Sequence, residues 1–354
     1  MTAIHVIVPD GIDDPARPSG GNIYDRRICT GLTDLGWRVH EHHMPGDWPH
    51  PGEVSRRRLA KTLASIGGGG VVLVDGLIAS ASADVMIPQS HRVHQVVLMH
   101  MPLGSGTELP YASARADEEQ VVAKAKAVIA TSDWTRRWLL DAYSLLPENV
   151  HVVEPGVDSA SVVPGTADGG RLLCIAAVVP HKGQDILLDA LGSLTDRDWT
   201  CTFVGSLDRD PIFAFRLVQQ AAAYGIADQV AFVGPRTGDE LGEAYAQSDL
   251  LVLPSRNETY GMVITEALAR GVPVVATDVG GVPTALGAGM GTIQPGLLVP
   301  PADPAGLALA LGRWLDEPVL RTRLRAGAVH RRSSLTGWAQ AAGQVARVLR
   351  EVAA

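Results

Sequence analysis

Short apolar runs rich in Val, Ile and Leu recur along the chain at residues 4–8, 71–75, 96–99, 128–131, 172–179, 202–205, 230–234, 250–254 and 272–278. They lack the apolar/polar alternation of a half-exposed strand and instead have the pattern of strands buried on both faces. Stretches of helical periodicity separate them. The predicted class is therefore α/β, with parallel sheets covered by helices on either side. Between Val153 and Arg171 the periodicity lapses into turn chemistry, Glu-Pro-Gly-Val-Asp followed by Val-Pro-Gly-Thr-Ala-Asp-Gly-Gly, which marks the predicted boundary. The expected organisation is a Rossmann-like domain over 1–155, a second over 156–335 and a terminal helix over 336–354. That helix carries Trp338, Ala342, Val345, Val348 and Leu349 on one stripe. The uncharged stretch 279–302 is long enough to cross a bilayer, but its glycines and four prolines make it loop and turn.

A chain of 354 residues with 46% hydrophobic positions exceeds one ordinary core and suits two domains. The net charge of −8, with acidic residues in excess in both halves, lacks the electrostatic footprint of a nucleic-acid binder. Three dispersed cysteines, Cys29, Cys174 and Cys201, form neither a disulfide framework nor a metal quartet and are expected as buried thiols. The first residues show no basic or long apolar leader, so a cytoplasmic location is expected, with no membrane association indicated. The basic run Arg56-Arg57-Arg58 with Lys61 reads as a solvated helix face. His40, His42 and His43 around Glu41 miss the H-E-x-x-H spacing, and no metal is expected there.

The chemistry concentrates in 250–281, LLVLPSRNETYGMVITEALARGVPVVATDVGG. A strand ends at Pro254, a polar loop carries Glu258, Gly261 permits close backbone approach, and a helix follows from Met262 to about Arg270, stopped by Gly271. Its N-terminal N–H groups, at Tyr260, Gly261 and Met262, and the positive end of its dipole suit a phosphate. Glu266, one turn deeper, can accept hydrogen bonds from the vicinal hydroxyls of a ribose. If most of the intervening residues are helical, Glu258 and Glu266 are separated by a rise of about 12 Å. Glycosidase carboxyl pairs sit roughly 5–9.5 Å apart. The spacing therefore suits two contact points along one elongated ligand.

Glu258 and Glu266, with seven residues between them in Pro-Ser-x-x-Glu-x-x-Gly, resemble the E-x7-E signature of family 4 retaining glycosyltransferases of GT-B fold. The resemblance implies two Rossmann-like domains facing across a cleft, a nucleoside-diphosphate-sugar donor such as a UDP- or GDP-sugar, a hydroxyl acceptor, and same-face transfer with retention and without a metal or other cofactor. Domain closure over the cleft would exclude water. By the same resemblance Lys182 neutralises the donor diphosphate, and Gly20, Gly21 and Asn22 form the glycine loop opening the first helix. Gly234 and Arg236, in Phe-Val-Gly-Pro-Arg, belong to the loop whose backbone reads the base. His100 contacts the sugar or acceptor, Glu258 orients the donor sugar, Glu266 holds the ribose, and the helix from Trp338 crosses back to the first domain. Two positions depart from the family: Ala177 stands where an arginine often supplies a second cation, leaving Arg256 and Arg236 as the nearest candidates, and Thr284 stands where a glutamate is common. The acceptor-side segments 10–17 and 103–114 carry no readable signature. A nucleotide-dependent oxidoreductase would need a G-x-G-x-x-G turn after a strand, and Gly287-Ala-Gly289-Met-Gly291 has the wrong spacing. A two-lobed sugar-binding protein without catalysis is the third class considered.

Overall fold

The computed structural model describes residues 3–105, 110–287 and 293–354, so Gly289 and Gly291 lie outside the described residues, as does much of the acceptor-side segment 103–114. The chain divides into two units. One comprises Met1–Asp13, Gly21–Gly156 and Thr336–Ala354, and the other Asp14–Gly20 and Val157–Leu335. The short stretch Asp14–Gly20 thus groups with the second unit, although it lies within the span 1–155 expected for the first domain.

The first unit is built on a six-stranded parallel sheet of β1 (Ala3–Pro9), β2 (Arg38–Met44), β3 (Val71–Asp75), β4 (His94–Met99), β5 (Ala127–Ala130) and β6 (Val150–Val152), in the order β2-β1-β3-β4-β5-β6. The second has β7 (Arg171–Ile175), β8 (Thr200–Val204), β9 (Val230–Phe232), β10 (Leu250–Leu253), β11 (Val274–Thr277) and β12 (Gly296–Val299), in the order β12-β11-β10-β7-β8-β9. Both sheets are doubly wound. In the first the direction of winding reverses between β1 and β3, and in the second between β7 and β10. Ligands of such sheets bind outside the carboxyl ends of the strands at the reversal, where diverging crossovers leave a crevice.

The apolar runs form β3, β4, β5, β7, β8, β10 and β11 because both faces of each are covered. Every residue of β3, β5, β10 and β11 is buried. The terminal helix Trp338–Ala353 belongs to the first unit and buries Ala341, Ala342, Val345, Ala346, Val348 and Leu349 in its core. It approaches the helix Gly20–Asp34 closely: a Cβ on Gly31 would stand 2.4 Å from that of Ala342. Three readings need correction. The run 172–179 stops being a strand at Ile175, because its second half turns into the loop that carries Lys182. Three strands, β2, β6 and β12, were not anticipated; all three are sheet edges. The stretch 279–302, read as loop and turn, contains the helix Val282–Leu286 and β12, since Gly296 lets β12 lie against Val274 where a Cβ would fall 2.1 Å from a carbonyl oxygen.

Candidate functional site

In the second unit the loops following β7 and β10 meet at the winding reversal. After β7 a tight turn, Pro180–Lys182, is followed by Gly183, whose positive φ (71°) starts the helix Gln184–Gly192. A Cβ there would lie 2.1 Å from the carbonyl oxygen of Pro254, at the end of β10, so the two loops can touch only through glycine. The Arg256 N–H donates to the His181 carbonyl at 2.8 Å and closes the contact from the other side. The turn presents Lys182, whose Nζ lies 2.6 Å from Oε2 of Glu258 in the loop after β10. Both side chains are mostly buried. Glu258 is fixed through its backbone: its carbonyl accepts the Gly281 N–H at 3.0 Å, and Gly280, at φ 55°, packs so closely on that carbonyl that a Cβ would come within 1.8 Å. The helix Met262–Ala269 begins at Gly261, in the left-handed region, with no side chain capping its N-terminus. Tyr260 is buried beside it. Glu266 is on the second turn, its Oε2 accepting a 2.8 Å hydrogen bond from the Tyr245 hydroxyl, while the Arg270 guanidinium stacks 4.6 Å from the Tyr245 ring centre. Four of the eight steps from Glu258 to Glu266 lie ahead of the helix, so the helical rise of about 1.5 Å per residue applies only from Met262 onward. Within this unit a Cβ on Gly20 would stand 3.3 Å from the Met262 sulfur.

The cations around Lys182 differ from those expected. Arg256 is committed to the fold, with a bidentate pair to Asp185 at 2.8 and 2.6 Å and a further bond to the Pro180 carbonyl. Arg236 pairs with Glu240 at 3.0 Å and lines a separate hollow with Arg171, Thr202 and Gln247. Gly234, at φ 73°, accepts the Gly205 N–H at 2.9 Å, which ties its loop to the end of β8. Neither arginine stands as an unpaired partner for Lys182. Arg209 is in the loop after β8, which the Val178 N–H to Ser206 carbonyl bond (3.0 Å) ties to the Lys182 loop, and its charge acts on His181 there. No carboxylate pairs with Arg209 among the described residues, and its pKa is lowered by desolvation and by the neighbouring Arg17. His181, lowered to about 4 by burial and then by Lys182 and Arg209, is neutral at pH 7.

In the first unit the side chains at the reversal are buried. His100 follows β4 directly. Its Nε2 lies 2.7 Å from Oδ1 of Asp25, on the helix Gly20–Asp34, and 3.7 Å from Oδ2 of Asp75, the last residue of β3. Asp75 also accepts the Leu77 and Ile78 N–H groups at 2.7 and 3.4 Å, capping the helix Gly76–Ser80. The Tyr24 ring meets His100 edge-on at 5.3 Å, and a Cβ on Gly21 would stand 3.2 Å from the imidazole Cδ2. Gly21 and Asn22 are themselves helical residues, and the Asn22 amide reaches the Gly11 carbonyl at 3.3 Å. The three groups offer one ligand atom each within 4.8 Å of one another, a count sufficient for an open metal centre. The 2.7 Å contact, however, has the length of a charge-assisted hydrogen bond and is shorter than the roughly 3.3 Å between two tetrahedral ligands about 2.0 Å from one ion. Burial raises Asp75 to about 7, reinforced by Asp25. Burial alone would lower His100, but Asp25 and then Asp75 hold it above its ordinary value.

Asp25, Asp75, Tyr245 and Arg209 had not been singled out in the sequence. Two of them left a signal. Asp25 occupies the apolar stripe of its helix, with Ile28 and Leu32 three and seven residues on, and Asp75 is a carboxylate closing the fully buried strand Val-Val-Leu-Val-Asp.

Two doubly wound parallel sheets, each with its polar residues gathered at the reversal, define the class as GT-B. The Anabaena Alr3699/HepE protein, solved in complex with UDP-glucose, has the same fold, with a TM-score of 0.78 over 99% of this chain and 100% of that one at 20% identity. Residues 165–331 match the family model described as glycosyl transferases group 1. The D-inositol 3-phosphate glycosyltransferase 1 of Catenulispora acidiphila is 34% identical over 298 residues, covering 78% of this chain and 69% of the relative. That of Salinispora arenicola is 35% identical over 271 residues, 68% of this chain and 59% of the relative. The chain belongs to the group 1 glycosyl transferase family and is similar to its family 4 members. It spans about 55–60% of the length of the first curated relatives that it matches. No helix among the described residues is long and apolar enough to cross a membrane.

Proposed function

We propose that this chain is a retaining, metal-independent glycosyltransferase that moves a hexose from a nucleoside diphosphate to an acceptor hydroxyl. The observation that carries the reading is the Lys182–Glu258 pair at the reversal of the second sheet, beside the uncapped start of the helix Met262–Ala269. As the donor's glycosidic bond breaks, negative charge builds on the β-phosphate oxygens. The Lys182 ammonium, the helix amides and the Arg209 guanidinium would stabilise that charge where other enzymes use a metal ion. Arg209 would supply the second cation that Ala177 does not. Donor binding separates Lys182 from Glu258 in this scheme, freeing the carboxylate to accept hydrogen bonds from the sugar hydroxyls. Glu266, aimed by Tyr245, would take the ribose hydroxyls. In the first unit, Gly21 and Asn22 belong to the helix start assigned to the diphosphate, and His100 to contact with the transferred sugar or the acceptor. Same-face attack as the phosphate leaves would account for retention without a covalent intermediate.

The experiment is a panel of UDP- and GDP-sugars, followed by calorimetry for binding and by NMR for slow donor hydrolysis and the anomeric configuration of any product. D-inositol 3-phosphate, after which the relatives are named, serves as a trial acceptor. One of the donors should bind. Lys182→Ala and Glu266→Ala should each weaken that binding by roughly 10- to 150-fold, the equivalent of about 1.5–3 kcal/mol for a charge-assisted contact. Both variants within twofold of the parent would remove the donor site from this position. Binding without turnover of any donor would favour a sugar-nucleotide-binding protein.

A further inference from the structure

The first unit holds a buried arrangement that the transfer scheme leaves unexplained. Asp25 and Asp75, only 2% and 4% exposed, both reach the same nitrogen of His100 from different elements. Asp25 uses one oxygen for His100, and its second oxygen, Oδ2, is buried with no hydrogen-bond donor among the described residues. Asp25 and Asp75 also face each other: the carboxylate oxygens they turn toward His100 lie within 4.8 Å of one another. Two buried carboxylates that close do not both stay ionised, because like charges repel strongly in a low-dielectric site, and one of them keeps a proton. A shared proton removes the orphan acceptor and the repulsion together. The charged groups facing the imidazole are then Asp25 from the helix Gly20–Asp34 and Asp75 from the end of β3. Tyr24 presents a ring edge, its hydroxyl being spent on the Val153 carbonyl at 3.0 Å. The imidazolium balances one carboxylate and the cluster is neutral overall.

We propose that Asp25 and Asp75 share a single proton and hold His100 as an imidazolium with Nε2–H committed to Asp25, so that His100 acts in transfer as a hydrogen-bond donor through Nδ1–H and not as a general base. A general base needs a neutral nitrogen facing its substrate. With Nε2–H held on Asp25, Nδ1 is the one ring nitrogen that could act as a base, and in the imidazolium it carries a proton throughout. Asp25 and Asp75 are positioning residues on this account. The role in transfer rests on the proposed function; the protonation state does not.

The test separates the two. Nitrogen-15 histidine labelling of the full chain, with His100 identified by its loss in His100→Gln, follows both ring nitrogens between pH 5 and 9. Both should carry protons at pH 7, with a second, smaller shift near the pH at which Asp75 ionises. Asp25→Asn should bring His100 to the neutral form at pH 7, and Asp75→Asn should erase the second shift. A neutral His100 at pH 7 in the parent chain overturns the proposal whether or not either variant folds. The kinetic arm uses whichever donor the panel identifies. Asp25→Asn should lower kcat at least tenfold with KM within about threefold, and the parent kcat should show no acidic limb from a base ionising between pH 5.5 and 7. Such a limb, with His100 shown neutral above it, overturns the donor role. If no donor is turned over at all, the transferase reading fails while the ring-nitrogen result still decides the protonation.

Discussion

Each unit buries carboxylates close to its sheet, and they are satisfied to very different degrees. In the second unit Asp249, at the head of β10, receives the Thr166 N–H at 2.5 Å and hydroxyl at 2.6 Å, the Arg171 N–H at 3.0 Å, and the guanidiniums of Arg171 and Arg325. Burial on its own would raise its pKa, but these donors bring it below the ordinary value. In the first unit Asp25 and Asp75 have one imidazole and two amides between them, and one oxygen has no donor among the described residues. A carboxylate surrounded by donors at the amino end of a strand ties loops together. A pair short of donors at the carboxyl end keeps a proton and holds a ring. Comparable burial thus meets very different supplies of donors, and on the proposed reading it serves structure in one place and chemistry in the other.

The contrast has opposite signs in pH. Asp75 is raised from 3.8 to about 7, so the folded state binds more protons than the unfolded chain in that window, and its contribution to stability falls as pH rises from about 4 through 7. His100, also raised, loses its contribution as pH climbs above its ordinary 6.5. Asp249, lowered, contributes fully above 3.8 and loses its part only as pH drops below that. Asp249→Asn should therefore cost about 3 kcal/mol at pH 7, and Asp75→Asn should leave the protein as stable as the parent or more so at pH 8. Urea denaturation of the full chain at pH 5 and pH 8 measures both. Equal losses from the two substitutions would erase the distinction.

A smaller effect probes the backbone side of the second unit. Gly183→Ala places a methyl against the Pro254 carbonyl at positive φ, and it should cost about 2–3 kcal/mol in thermal unfolding as well as donor affinity. A neutral outcome would mean that the β7 and β10 loops can part. The smallest effect concerns the cations. Arg209→Ala should weaken donor binding about tenfold and Arg236→Ala by less than twofold, because Arg209 has no carboxylate partner among the described residues while Arg236 is spent on Glu240. Reversed magnitudes in calorimetry would return Arg236 to the diphosphate.

The apolar runs along the chain were sufficient to place the interior strands, since a strand covered on both faces must be apolar at nearly every position. They were insufficient for β2, β6 and β12. As sheet edges these need less burial, and β2 reads Arg-Val-His-Glu-His-His-Met, which carries no apolar signature at all. In the second unit Glu258, Gly261 and Glu266 were legible because a strand, a turn and a helix start fix them within a few residues of one another, and Lys182 because it sits in a strand–turn–helix start of its own. Arg209 was not, because its loop meets the Lys182 loop only through β8 lying next to β7.

What the sequence determined by itself is the α/β class, the two Rossmann-like halves and the turn-to-helix elements, all of which follow from short-range periodicity and from glycines that only one backbone geometry can use. The tertiary structure decided which charges meet. Asp25, Asp75 and His100 are 25 to 75 positions apart in the chain, and their contact exists only because parallel strands deliver their carboxyl ends to one edge of a sheet. Protonation depends on distance and desolvation, and neither is written in the order of residues.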